Sequence, residues 1–265
     1  MNQPQTTTAE HIQHLDEHGY AVFPEFLDLD TTARIREHID QLLPPVSTKE
    51  NPSTSPKVLR HPIEGDIMVE LLNRPELIEL ARQIIKSESI DDMLLLEQVL
   101  IRTDRTAPPY GPNGWHVDMA FLPDQYDCTP RKTYYHMVHL CNTVQEGAGS
   151  FMIVPGSHHT NYSHMSQYKH IDDASELQSE LTGNIDSSKG IEITGNEGDL
   201  VVFNPMCLHS ASGNASDQPR YVYFASFMDK SATYLRQYLK KEKTRDNFPD
   251  SLKNGLPDKL KHVLD

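Results

Sequence analysis

The stretch Trp115-His116-Val117-Asp118 sets an imidazole and a carboxylate two residues apart. In an extended chain residues i and i+2 project to the same side, so His116 and Asp118 can grip one ion together. A third ligand must come from a distant strand, and His209 stands just after Asp199-Leu-Val-Val-Phe-Asn-Pro, where an apolar run gives way to a loop. Two imidazoles and one carboxylate on one face of a metal, with the other positions open, form the ligand set of non-haem Fe(II) oxygenases. Eleven residues beyond His209, Arg220 opens the next apolar run, and the loop HSASGNASDQP can return it antiparallel and close to the metal. A guanidinium fixed there can hold the distal carboxylate of 2-oxoglutarate through a bidentate pair. Singly these signals are weak: His-x-Asp arises by accident in a chain with 14 histidines, His209 also reads as a capping or buried histidine, and Arg220 as a surface ion pair. Their order and spacing carry the reading.

Such a set needs strands brought side by side. From Met93 onward the apolar runs are short and divided by Gly, Pro and Asn: MLLLEQVLIR, TYYHMVHLCN, SFMIVP, IEIT, DLVVFNP and RYVYFASF. Amphipathic segments long enough for crossover helices are missing between them, which favours a sandwich or barrel over a parallel sheet. Before them, residues Thr8 to His18 read as a helix closed by Gly19, Tyr20 to Phe23 as a strand, and a second helix capped by Asp28 or Asp30 runs to Leu43. Pro75 to Lys86 form a third helix, with a Pro- and Ser-rich loop over Pro44 to Pro56. The fold expected is mainly β with flanking helices, a double-stranded β-helix (jelly-roll) core in one domain, 1–265. Residues 1–90 are the helical flank, 91–229 the core with a polar lid insertion at 157–189, partly helical near Ala174 to Leu181, and 230–265 a C-terminal helix (Lys230 to Lys243) with a peripheral tail.

Composition narrows the partners. A charge of -14 with Asp and Glu in excess opposes nucleic-acid binding, which needs surplus Lys and Arg. No window approaches the length of apolar chain that spans a bilayer, and the N-terminus lacks a signal-peptide pattern. Three scattered cysteines, Cys128, Cys141 and Cys207, make no disulfide framework or zinc site. The expectation is a soluble cytoplasmic protein, monomer or homodimer, with a small-molecule substrate and neither nucleic acid nor membrane as partner. The histidines His158, His159, His164 and His170 of the insertion sit among Ser, Asn and Lys and read as a solvated segment rather than a second metal site.

These residues resemble the phytanoyl-CoA dioxygenase family of Fe(II)/2-oxoglutarate oxygenases over most of the chain. HGYAVFPEFLD is similar to the family's opening, WHVDMAFLP to its first ligand block and GSFMIVPGSH to its PGSH turn. The most specific block is GDLVVFNPMCLHSASGNASDQPR, which places the family's pattern on Gly198, Asp199, His209, Ser212, Gly213, Asn214, Ser216 and Arg220. The resemblance implies Fe(II), 2-oxoglutarate and O2 as cofactor and cosubstrates, with His116, Asp118 and His209 as metal ligands and Arg220 and Ser212 near the cosubstrate. It also implies polar cosubstrate or substrate contacts on the strand before the ligand loop, here Gln98 and Arg102. Tyr134 and His136 share one face of the next strand and, with Trp115, are candidates for the substrate side. Two positions depart from the family: a strand that often carries a Trp reads TYYHMVHLCN, and the acidic-Asn-Gly turn reads QEGAGS. Family halogenases replace the metal carboxylate by a small residue, so Asp118 argues against halogenation.

The expected reaction is oxidation, foremost hydroxylation, of an unactivated C–H bond in a small polar metabolite or natural-product intermediate, with release of succinate and CO2. Dealkylation and desaturation use the same ligand set. The alternatives are a cupin-like metal enzyme of another reaction type and an inactive binding protein of this fold.

Overall fold

The computed structural model describes residues 7–60, 62–118, 134–168, 170–171, 173–232 and 248–264. Helix α1 (Thr8–His18) begins with a capping box, in which the Thr7 side chain accepts from Glu10 N and the Glu10 carboxylate returns to the Thr7 backbone, and ends at Gly19 in the left-handed region (φ 81°). A side chain at Gly19 would also collide with Cys207 and His158. Strand β1 (Tyr20–Phe23) follows, then α2 (Leu29–Leu42), capped by Asp28. Strand β2 (Lys57–Arg60) and helix α3 (Asp66–Leu72) add to the expected elements; α4 (Pro75–Ile84) starts on its proline.

The β elements are β3 (Met93–Thr103), β4 (Tyr135–Leu140), β5 (Phe151–Ile153), β6 (Ile191–Ile193), β7 (Leu200–Phe203), β8 (His209–Ala211) and β9 (Arg220–Asp229). They form a six-stranded sheet ordered β1-β7-β4-β9-β3-β2 and a three-stranded sheet β6-β5-β8. All the strand pairs are antiparallel, which agrees with the expected jelly roll. The insertion between β5 and β6 carries α5 (Ser157–His164) and α6 (Ala174–Gly183) and no strand among its described residues.

Each face of the large sheet buries a different layer. Toward the helices lie Ala21, Met137, Leu100, Leu200, Val202, Tyr223 and Phe227, packed on Ile35, Ile39, Leu71, Leu77 and Ala81. Toward the small sheet lie Val201, Phe203 and Val222, packed with Ile153 and Ile193. Alternation along each strand sorts side chains between the layers. It is broken once, in β3, where the register against β9 shifts between Leu95 and Glu97.

The C-terminal tail departs from expectation. Two short helices, Asp250–Gly255 and Asp258–Lys261, bury Leu252 and Leu260 in the helix-side core, and the residues flanking them add Phe248, Leu256 and Val263. Burial of five apolar side chains outweighs the ordering of a short segment, so this tail is part of the core rather than peripheral. Beyond Ala232, the helix expected over Lys230 to Lys243 lies outside the described residues, as does Cys128.

Candidate metal centre

Residues after the cis Pro108-Pro109 bond run beside β8 as an irregular extra edge. His116 and His209 exchange both backbone hydrogen bonds at 2.9 Å, and Asp118 N donates to Pro205 O at 2.9 Å. This ladder brings the late imidazole beside the early imidazole and carboxylate: ligand atoms of His116, Asp118 and His209 lie within 4.8 Å of one another. Among the described residues no other His, Cys, Asp and Glu group of that kind appears.

The ring tautomers follow from the partners. His209 Nδ1 meets Cys207 O at 2.8 Å and His116 Nδ1 meets Gly114 O at 3.1 Å. A carbonyl only accepts, so each Nδ1 carries a proton and each Nε2 is the ring atom left to ligate a metal. The separations from Asp118 are 3.3 Å for His209 Nε2 and 3.6 Å for His116 Nε2. His136 reverses this arrangement. Its Nε2 lies 3.0 Å from Asp118 Oδ2 and its Nδ1 2.6 Å from Ser226 Oγ. The carboxylate must accept, so Nε2 carries the proton there and has no lone pair for a metal. His136 therefore steadies Asp118 without closing a fourth position.

Burial opposes charge on Asp118, but His209 and His136 outweigh it and hold the carboxyl well below its ordinary range. Burial also works against charge on His209, which Asp118 nonetheless raises, whereas burial and the facing His209 lower His116. A carboxylate ionised at neutral pH and two imidazole lone pairs on one side are what a divalent first-row metal needs.

The trio opens on a cavity of about 460 Å³ between the sheets. Its walls are largely apolar and include Ile101, Val138, Phe151, Val201, Phe203, Val222 and Phe224. Arg220 enters from the first residue of β9 and is 7% exposed. One of its terminal nitrogens donates to Gly149 O at 2.5 Å, while Nε has no hydrogen-bond partner. Among the described residues no carboxylate pairs with it, and burial pulls its pKa down to about 10, which leaves it charged at neutral pH. A buried cation without an anion costs free energy unless a ligand supplies one.

Tyr134 and His136 line the cavity. Gln98, Arg102, Ser212 and Trp115 do not, and these four expectations are corrected. Gln98 Nε2 donates to Met68 O (3.2 Å) and Tyr223 Oη (3.0 Å) on the helix side. Arg102, 1% exposed, is held there by Asp104 and Asp40. Ser212 Oγ bonds Ser150 Oγ at 3.1 Å, and Trp115 packs into space left by Gly190, where a Cβ would lie 2.3 Å from its ring. Conversely Glu97, Arg60 and Ser210 line the cavity without having been singled out. The insertion's histidines serve packing: His158 bonds Asp16 O at 3.2 Å, His159 bonds Glu17 O at 3.1 Å and His164 bonds Thr160 O at 2.8 Å.

Antiparallel sheets, a facial His-Asp-His set and a buried guanidinium beside it define a cupin-like 2-oxoglutarate oxygenase scaffold. The sequence profile of the phytanoyl-CoA dioxygenase (PhyH) family matches residues 15–222, and the chain belongs to that family. It is accordingly an iron- and 2-oxoglutarate-dependent enzyme, the cofactors expected from its sequence. Among curated proteins none matches this sequence. Solved structures share the fold. EvdO2 from Micromonospora carbonacea var. aurantiaca matches with a TM-score of 0.61 at 18% identity, over 86% of this chain and 94% of that one; it has also been solved with 2-oxoglutarate. The carbocyclase SnoK from nogalamycin biosynthesis matches with a TM-score of 0.61 at 16% identity, over 86% and 87%. The epimerase SnoN, in complex with Fe3+, alpha ketoglutarate and nogalamycin RO, matches with a TM-score of 0.58 at 18% identity, over 84% and 83%. Among the described residues no helix is long and apolar enough to cross a membrane.

Proposed function

We propose that this chain hydroxylates an unactivated C–H bond of a small-molecule metabolite or natural-product intermediate. In this reading His116, Asp118 and His209 hold Fe(II), and Arg220 pairs with the distal carboxylate of 2-oxoglutarate. With both groups bound, the site supplies oxidising power from O2 as 2-oxoglutarate is cleaved to succinate and CO2.

The chain's own residues do the positioning. Gly114 O and Cys207 O keep the two Nε2 lone pairs aimed at one point, and His136 fixes the carboxylate between them. All three ligands lie on one side, which leaves the cavity side free for cosubstrate and oxygen. Gly149 O orients the Arg220 guanidinium, and Phe151, Phe203 and Phe224 keep water from a charge pair formed there, which strengthens it. Tyr134, at 5% exposure, lines the same cavity next to His136 and serves as a wall for substrate.

The observation that carries this reading is the buried Arg220, uncompensated and sharing one cavity with an open metal-ligand set. The nogalamycin enzymes among the structural neighbours lend support to a natural-product substrate. An isomerase of cupin type would need neither Arg220 nor 2-oxoglutarate, and an inactive binding protein would consume nothing. Succinate release is therefore measured after Fe(II), 2-oxoglutarate and ascorbate are added. Wild-type protein should release succinate slowly even without its substrate; Asp118→Ala should abolish this release, and Arg220→Ala should strongly reduce it at low 2-oxoglutarate. Release by both variants at the wild-type rate would refute the site assignment.

A further inference from the structure

The one irregularity in β3 falls at the cavity. The register shift between Leu95 and Glu97 puts an extra residue into the strand, so both Leu96 and Glu97 turn toward the cavity. Bulges re-aim side chains in this way. Glu97 thus stands opposite Ser226, on the face of β9 that also presents Phe224, Val222 and Arg220. Its side chain is 16% exposed, and its ion-pair partner is Arg60, which ends the edge strand β2, is 63% exposed and also lines the cavity.

Resting on the function proposed above, we infer that Glu97 and Arg60 form the substrate-recognition subsite at the solvent end of the cavity, and that the substrate carries a cationic amine on an apolar body. The two acids in the described lining are Asp118 and Glu97. Asp118 is taken up by three imidazoles, which leaves Glu97 for a ligand. The asymmetry of exposure sets the sign of that ligand. Arg60 can leave Glu97 and return its charge to water at small cost, because an ion pair with one exposed partner is weak. An incoming ammonium then replaces Arg60 on a carboxylate that is already partly shielded from water. An incoming carboxylate would instead draw Arg60 away and leave the partly buried Glu97 without a counterion and facing a second anion, which is unfavourable. The apolar wall formed by Leu96, Val138 and Phe224 accommodates the rest of the molecule, and the net charge of -14 favours approach of a cation.

Dissociation constants of phenethylamine, N-acetylphenethylamine and 3-phenylpropionate test this on protein loaded with Zn(II) and 2-oxoglutarate, and again on protein carrying neither. The amine should bind at least about tenfold more tightly than the other two in both forms. Glu97→Gln, near in shape, should erase the preference, while Arg60→Gln should keep or sharpen it. Unchanged circular dichroism and melting of both variants guards against misfolding. Equal affinity for the three probes, no binding of any, or a preference that survives Glu97→Gln would overturn the subsite. Wild-type succinate release is scored separately, so failure of the oxygenase reading is distinguishable from failure of this one.

Discussion

The two faces of the large sheet treat their buried arginines in opposite ways. On the helix side Arg102 is closed off, with Nε 2.7 Å from Asp104, a terminal nitrogen 2.8 Å from Asp40, and Pro44 O accepting from the other. Tyr221 Oη meets Asp40 at 3.0 Å and Gln98 meets Tyr223, so Arg102 sits among paired polar groups. On the cavity side Arg220, on the strand beside Arg102, keeps one carbonyl and an unpartnered Nε. Buried polar groups are normally paired, and a cation left unpaired beside an empty volume indicates a ligand. The difference separates the two arginines: one holds the fold, the other waits for chemistry.

Exchanging each arginine for methionine gives the widest separation. Arg102→Met strands Asp104, whose side chain is fully buried, and should cost about 3–5 kcal/mol, a fall in Tm of roughly 10 °C. Arg220→Met removes an uncompensated charge and should leave Tm unchanged or higher. Its cost should appear in the KM for 2-oxoglutarate, which rises roughly 10- to 100-fold with loss of a charge-assisted hydrogen-bond pair. Thermal melts and succinate kinetics check both. A stable Arg102→Met, or an unstable Arg220→Met with unaltered KM, would break the contrast.

The sequence resolves these faces only in part. The helix caps at Thr7, Asp28 and Gly19 and the apolar runs of the core were readable because each rests on local chemistry. So was the His116, Asp118, His209 and Arg220 grouping, since its order along the chain limits how a sandwich can close. Gln98 and Arg102, expected as cosubstrate or substrate contacts, lie on the helix face for a physical reason. In an uninterrupted strand they would share a side with Leu94 and Leu96, which pack toward the insertion, but the bulge after Leu95 moves every later side chain across the sheet. No residue type announces that bulge. The same shift hid Glu97, and Arg60 lies on a four-residue edge strand too short to carry a pattern. The tail is different: Phe248, Leu252, Leu256 and Leu260 recur every four residues, a helical spacing that is legible in the sequence.

Strand β4 inverts the contrast with two histidines three positions apart. His136, on the cavity side, has both ring nitrogens engaged, and Phe at that position removes the proton it lends to Asp118. Metal affinity, measured by titrating Co(II) into the metal-free protein, should fall about tenfold for His136→Phe. Unchanged affinity would reduce His136 to a packing residue and leave Asp118 to be held by its ligand neighbours alone.

His139, on the helix side, has neither nitrogen partnered; its ring is stacked on Tyr223 at 5.4 Å and tilted against Phe26 at 5.6 Å. Full burial pushes its pKa down to about 3. The unfolded chain takes up that proton near 6.5, so acid favours the unfolded state and stability falls as pH drops below that value. Phenylalanine keeps a ring against Tyr223 and removes both orphan nitrogens. Between pH 7.5 and 5.5 wild-type protein should lose about 1.4 kcal/mol more stability than His139→Phe, since every other titrating group is common to both. Denaturant unfolding at the two pH values measures the difference. Equal losses would mean that His139 protonates within the folded protein, and the helix face would then hold a polar group as open as those around the cavity.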